Sequence, residues 1–293
     1  MINEGVLTAK DYTFLQEVWD LNEQMKPLIQ KAHNDVYGYY FKEVEATPIV
    51  NKYGSYRGGY VPAKTDPFLV SETEIKAKLE EAGIRYWAND NISEVLEEGD
   101  KQALIEEAIP AFENVLQSLV IDTKTDPNSM DTARRMAKMY INEIMSGRYD
   151  PMPNPSAFPN YIEGGYEGML VVRSELTSLC SHHHQTVKGV AYIGIIAGPK
   201  LLGLSKYSRI AQWVARRGTL QEDLNVMIAN KIQEITGSEH IGVYVQATHG
   251  CCENRGIMAK SSLTQTTVLR GAFKNEPDVR KEFIDNVKLQ QDN

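Results

Sequence analysis

Four short apolar runs, two on each side of a pair of helical stretches, most constrain how this chain can fold. Met169–Val172 and Val190–Ile196 come first, Ile241–Ala247 and Thr264–Leu269 come last. Between them, Lys206–Arg217 and Glu222–Ile235 repeat apolar residues at helical spacing and are joined by a short turn at Gly218. The order strand, strand, helix, helix, strand, strand predicts an α+β fold. Its antiparallel sheet carries its helices on one face, unlike an alternating βαβ domain. No glycine-rich phosphate loop of either common type is present, so a bound phosphate must be held by other groups.

The chain upstream is helical. Ala103–Val120 carries Leu104, Ile105, Ala108, Ile109, Phe112, Val115, Leu116 and Leu119, an amphipathic stripe. Asp131 is expected to cap a second helix that runs to about Met145 and stops at Gly147. The proline-rich stretch from Gly147 to Pro159 reads as a connector. Residues 1–98 read as a separate, partly helical extension, and 99–293 as the domain that carries the chemistry. In the extension, Phe14, Leu15, Val18, Trp19, Leu21, Met25, Leu28 and Ile29 predict a helix from about Tyr12 to Phe41, kinked or interrupted at Pro27. Pro48–Pro67, rich in Tyr, Gly and Pro, reads as loop. Ser71 and Glu74 suggest a capping box for a short helix ending near Gly83.

Bulk properties narrow the function. With 31 basic and 39 acidic residues the net charge is -8, which argues against general nucleic-acid binding. No apolar run is long enough to span a bilayer, and no basic-then-apolar leader opens the chain. Three cysteines, two of them adjacent, make a poor disulfide framework. A reducing cytoplasm is the simpler setting, and it keeps the thiols available for a metal.

All three cysteines and four of the six histidines fall in two clusters, Cys180-Ser181-His182-His183-His184 and His249-Gly250-Cys251-Cys252. Thiolates and imidazoles are preferred zinc ligands. Cys180 and His183 form a C-x-x-H pair that a turn can direct at one ion. Cys251 and Cys252 would point to opposite faces of extended chain, so one of them is expected to reach the metal. Three protein ligands and an open position give a catalytic zinc site; four would give a structural one. His182 and His249 can shuttle protons beside the metal or can be plain loop histidines. His184, His33 and His240 carry no assignment. Ser205, Lys206 and Arg209 open a helix, either an anion site or a solvated basic face. Arg255 could converge on the same anion. Glu222 either complements a helix dipole or accepts two N–H bonds from a guanine edge.

The order of these motifs resembles GTP cyclohydrolase I. The resemblance is carried by Cys180-Ser181-His182-His183, Gly203-Leu204-Ser205-Lys206-Tyr207-Ser208-Arg209-Ile210, Ala215-Arg216-Arg217, Leu220-Gln221-Glu222-Asp223-Leu224, His249-Gly250-Cys251, Arg255-Gly256 and Leu269-Arg270-Gly271. Upstream, Asp131 to Tyr140 also looks like the helix that precedes the family's sheet. The similarity spans about residues 100–290. It implies a zinc ion held by Cys180, His183 and Cys251. It implies that GTP is opened at C8, formate is lost, and the ribose is rearranged into dihydroneopterin triphosphate. His182 would act at the purine N7 side, and His249 with Ser205 in the ribose steps. Glu222 would anchor the guanine, with Gln221 among the substrate contacts. Lys206, Arg209 and Arg255 would hold the triphosphate, with Arg135 and Lys138 from a neighbouring subunit. The family fold is the tunnelling fold, in a ring of ten subunits with sites at subunit interfaces. Ser181 stands where the family has Glu, Gly218 where it has Pro, and Cys252-Glu253 follow the second cysteine. A non-catalytic nucleotide-binding protein, with Cys252 as a fourth, structural zinc ligand, is the competing reading.

Overall fold

The computed structural model describes residues 8–37, 48–51, 53–56, 72–161 and 164–291. The chain divides into two compact units, Met1–Thr73 and Glu74–Asn293. In the first, α1 (Ala9–Tyr37) is a single helix that runs through Pro27. A helix of this length loses one backbone hydrogen bond at a proline without ending. The stretch read as loop holds a hairpin of β1 (Ile49–Asn51) and β2 (Gly54–Tyr56), against which Tyr12 stacks at 5.2 Å from Tyr56. Ser71 of the expected capping box lies outside the described residues.

The division falls within the first turn of α2 (Glu72–Glu81), which is closed by Gly83 at φ +65°. Next come α3 (Asp100–Ser118) and α4 (Thr132–Lys138), the latter continuing as wider π-type turns over Met139–Ile144 before α5 (Ser146–Tyr149). Two expectations fail here. The Asp131 side chain makes no cap; its oxygens lie 3.9 Å from Arg134 and 3.4 Å from Arg135 instead. Gly147 does not stop the helix. It is glycine because a Cβ would sit 1.9 Å from the Trp213 carbonyl oxygen, where α5 crosses the next helix.

The core is a five-stranded sheet in the order β7-β4-β5-β8-β9. A short β3 (Ala157–Pro159) precedes β4 (Met169–Cys180), which pairs antiparallel with β5 (Thr186–Ile196). The chain then passes through β6 (Lys200–Leu202), α6 (Leu204–Ala215), β7 (Gly218–Thr219) and α7 (Gln221–Thr236). β8 (Ile241–His249) pairs with β5, α8 (Gly250–Glu253) follows it, and β9 (Thr264–Leu269) forms the far edge. β4 is far longer than the four-residue run read from sequence. Its second half alternates Ser174, Leu176 and Ser178 inward with Arg173, Glu175 and Thr177 outward, a pattern whose buried serines hide the strand.

The two long helices lie on one face, as expected. Ile193, Ile195, Ile241, Val243 and Val245 pack there against Tyr207, Ile210, Val214, Leu224, Ile228 and Ile232. The chain adds α9 (Ala272–Asn275) and α10 (Pro277–Gln291) on the other face, where Phe273 and Phe283 pack with Tyr192. Gly194 and Gly242 make room: a Cβ on either would meet the two phenyl rings at about 3 Å or less. No described helix is long and apolar enough to cross a membrane.

Candidate active site

Strand register brings the chemistry to one end of the sheet. Leu179 pairs with Thr186 across the β4–β5 hairpin, and Val187 pairs with His249, so both Cys/His clusters leave the sheet at the same edge. On the other side, Cys180 pairs with Thr219 of β7, two residues before α7 begins at Gln221. The hairpin turn is tight: the Cys180 N–H donates to the Gln185 carbonyl and the His184 N–H to the Cys180 carbonyl, both at 2.9 Å, with His184 at φ +50°.

Cys180 is buried at the end of β4, and its Sγ lies 3.8 Å from that of Cys251. The Cys251 thiol is pushed up to about 11, first by burial and then by its hydrogen bond with Cys180. Cys251 and Cys252 do not lie in extended chain. The single turn of α8 leaves both half-buried, with sulfurs 4.0 Å apart. His182 and His183 are exposed on the turn with their rings edge-on at 6.4 Å, and His184 lies 5.7 Å from the Tyr140 ring. Among the described residues, no three His, Cys, Asp or Glu side chains are already gathered around one point.

His249 is held firmly. Its Nε2 lies 2.7 Å from Gln221 Oε1. The Gln221 Nε2 donates to the carbonyls of Val245 and Thr264 and to Thr266 Oγ1, so its oxygen is the end left for the imidazole. His249 therefore donates from Nε2 and keeps Nδ1 as its basic nitrogen. Burial lowers its pKa, against the raising effect of the Glu222 and Glu253 carboxylates. Gln221, expected as a substrate contact, is buried and spends its amide on β8, β9 and His249. This bracing role was missed because a glutamine beside a glutamate gives no sequence signal of where its amide turns. Glu222 is exposed in the first turn of α7.

The expected anion groups are divided. Ser205, Lys206 and Arg209 occupy the start of α6, which follows the far ends of β5 and β6 and returns to the thiol end only at its C-terminus. At 1.5 Å per residue, Ser205 is set back about 15 Å along the helix axis from Ala215. Within one chain these groups do not converge with Cys180 and His249. Lys206 Nζ donates to the Asn154 carbonyl at 3.1 Å. Arg209 lines a cavity of about 230 Å³ with Asp150, Gln212, Trp213 and Arg216, and the thiols are not part of its wall. Arg255 is exposed beyond α8. Arg135 and Lys138 are exposed on α4. Arg217, by contrast, is buried. It donates to the Asn89 carbonyl, lies 4.0 Å from the Trp213 ring, and is pushed down to about 10 by burial.

Comparison with known proteins identifies the family. The family described as GTP cyclohydrolase I matches residues 108–288. A GTP cyclohydrolase 1 of Aeromonas hydrophila is 36% identical over 216 residues, 73% of this chain and 95% of that one. A GTP cyclohydrolase 1 of Aeromonas salmonicida is 39% identical over 176 residues, 59% of this chain and 79% of that one. One from a Shewanella strain, ANA-3, is 34% identical over 217 residues, covering 73% and 96%. The chain, an α+β protein with both Cys/His clusters at one edge of its sheet, thus belongs to the GTP cyclohydrolase I family.

Proposed function

We propose that this protein opens GTP hydrolytically at C8, releases formate and recloses the product as 7,8-dihydroneopterin triphosphate, using zinc. The observation that carries the reading is the thiol pair. Cys180 and Cys251, 71 residues apart, meet with 3.8 Å between sulfurs. Two sulfurs each 2.3 Å from a tetrahedral ion stand about 3.8 Å apart. Burial and the neighbouring Cys180 sulfur favour the protonated form of the Cys251 thiol, a preference that a bound divalent ion would reverse. The thiol spacing suits zinc, and His183, on the exposed turn after Cys180, would complete the ligand set with Cys180 and Cys251.

When bound, zinc supplies the Lewis acid that makes water nucleophilic at neutral pH. The side chains do the rest. His182, on the exposed turn, protonates the N7 side of the purine. His249, with Nε2 anchored to Gln221, offers Nδ1 for the proton transfers of the ribose steps. Glu222 at the start of α7 accepts the N–H groups of the guanine edge. Ser205, Lys206 and Arg209 lie at the other end of the sheet, so a neighbouring copy brings them to these thiols. Such sharing is natural in a closed ring, ten subunits by resemblance, with Arg135, Lys138 and Arg255 completing the triphosphate clamp. The product would feed pterin, folate or deazapurine synthesis in the cytoplasm.

The test is direct. Purified protein is given GTP, and formate and the fluorescent oxidised pterin are measured with and without a zinc chelator. Both products, lost on chelation, are expected; neither product from zinc-loaded protein overturns the reading.

A second reading has its own observation: the Cys252 sulfur lies 4.0 Å from that of Cys251. If Cys252 were a fourth ligand, the zinc would be structural and the protein a nucleotide binder. Cys252→Ser separates the two, because it should lose zinc in that case and keep both zinc and turnover in the catalytic one.

A further inference from the structure

The helix α1 lies outside the stretch that the family covers, and it presents its apolar residues to solvent. Phe14 is 63% exposed, Val18 37%, Leu21 56%, Met25 45% and Leu28 69%. Their spacing is 4, 3, 4 and 3, a strict 3.5-residue repeat. A helix covering a globular core carries a wider stripe, whereas two apolar positions per heptad form the seam of a coiled coil. The opposite side of α1 is the one already packed. Tyr12, Trp19, Lys26, Gln16 and Gln30 lie there, all buried or half-buried, and Tyr12 stacks on the β1–β2 hairpin. The mostly polar side is the more buried one and the apolar seam is exposed.

We infer that α1 pairs with α1 of a second copy of this chain, antiparallel, along the Phe14–Leu28 seam. In the antiparallel register centred near residue 23, Val18 packs against Leu28 of the second copy and Leu21 against Met25. The twofold axis repeats both layers. The flanking positions then match by charge: Glu17 lies across from Lys31 of the second copy, at both ends of the pair. Gln24 lies beside Gln24 of the second copy at the twofold. A parallel pair would set Glu17 against Asn22 and Gln24 against Ile29, with no opposite charges facing each other. The antiparallel pair therefore satisfies both the seam and its flanks. The pairing is independent of the catalytic reading, and it joins subunits through residues that the catalytic unit does not need.

Full-length protein carrying Gln24→Cys is treated with a short bismaleimide and run on a denaturing gel. Two controls accompany it: the chain with its native thiols alone, and Glu23→Cys, one residue along on the side of the helix away from the pair. A cross-linked dimer specific to Gln24→Cys is expected. Adding Leu21→Glu and Leu28→Glu should abolish it while the urea unfolding midpoint of the catalytic unit stays unchanged, which shows that the rest of the chain is folded. A dimer trapped by Leu21→Cys but not by Gln24→Cys would mean a parallel pair and overturn the antiparallel one. Equal cross-linking at positions 23 and 24, or none above the native thiols, would overturn the pairing altogether.

Discussion

The helices α1 and α6 use the same kinds of residue to opposite ends. In α6, Tyr207, Ile210, Ala211, Val214 and Ala215 are buried against the sheet. In α1, Phe14, Val18, Leu21, Met25 and Leu28 stand in solvent. Both patterns say helix with an apolar side. Among the described residues, it is the apolar side of α6 that is laid on a strand surface. The difference teaches that periodicity specifies a surface to be buried but not what buries it. A partner encoded 20 residues away and one on another molecule leave the same mark on the sequence.

The comparison breaks most sharply at the thiols, because chemistry in the catalytic unit depends on residues that α1 lacks. Cys180→Ser or Cys251→Ser should abolish both bound zinc, read by metal analysis, and formate release. Zinc retained at full stoichiometry in either variant would remove that residue from the ligand set.

Packing comes next. Phe283 is fully buried against Phe273 at 5.3 Å between ring centroids. Phe283→Ala should cost about 3–5 kcal/mol in urea unfolding followed by sheet and aromatic signals. A loss below about 1 kcal/mol would mean that the α10 face is not part of the core.

An intermediate effect is expected at the imidazole brace. Gln221→Ala removes the acceptor for His249 and leaves the carbonyls of Val245 and Thr264 without the amide that caps them. Supporting contacts of this kind are worth about 10–100-fold in activity. The fall should appear in kcat with KM for GTP nearly unchanged. A rise in KM alone would return Gln221 to the substrate contacts.

The smallest change belongs to α1. Leu21→Ala should leave the unfolding midpoint of the catalytic unit within about 0.5 kcal/mol, since exposed positions contribute little within one chain. Any loss it causes should grow with protein concentration, the signature of a pair between molecules.

Much of this was legible beforehand. The apolar runs placed the sheet, and the two Cys/His clusters named its working end, because strand alternation and metal-ligand chemistry are local to a few residues. The errors have both local and distant causes. Asp131 looked like a cap, but the arginines three and four residues on draw its carboxylate. Gly147 looked like a stop, but its lack of a side chain serves a helix crossing 66 residues downstream. Pro27 looked like a break, but a long helix can omit one hydrogen bond.

By itself, then, the sequence determined the four main strands and two long helices of the sheet unit, the antiparallel pairing of those strands, and the residues able to bind a metal or an anion. Those depend on near neighbours in the chain. Tertiary structure alone decided that Cys180 and Cys251 stand 3.8 Å apart, that Gln221 turns its oxygen to His249, and that Ser205, Lys206 and Arg209 lie at the opposite end of the sheet. Strand register and helix direction set those distances, and both are fixed by which surfaces bury one another across the whole fold, a quantity that no short stretch of residues contains.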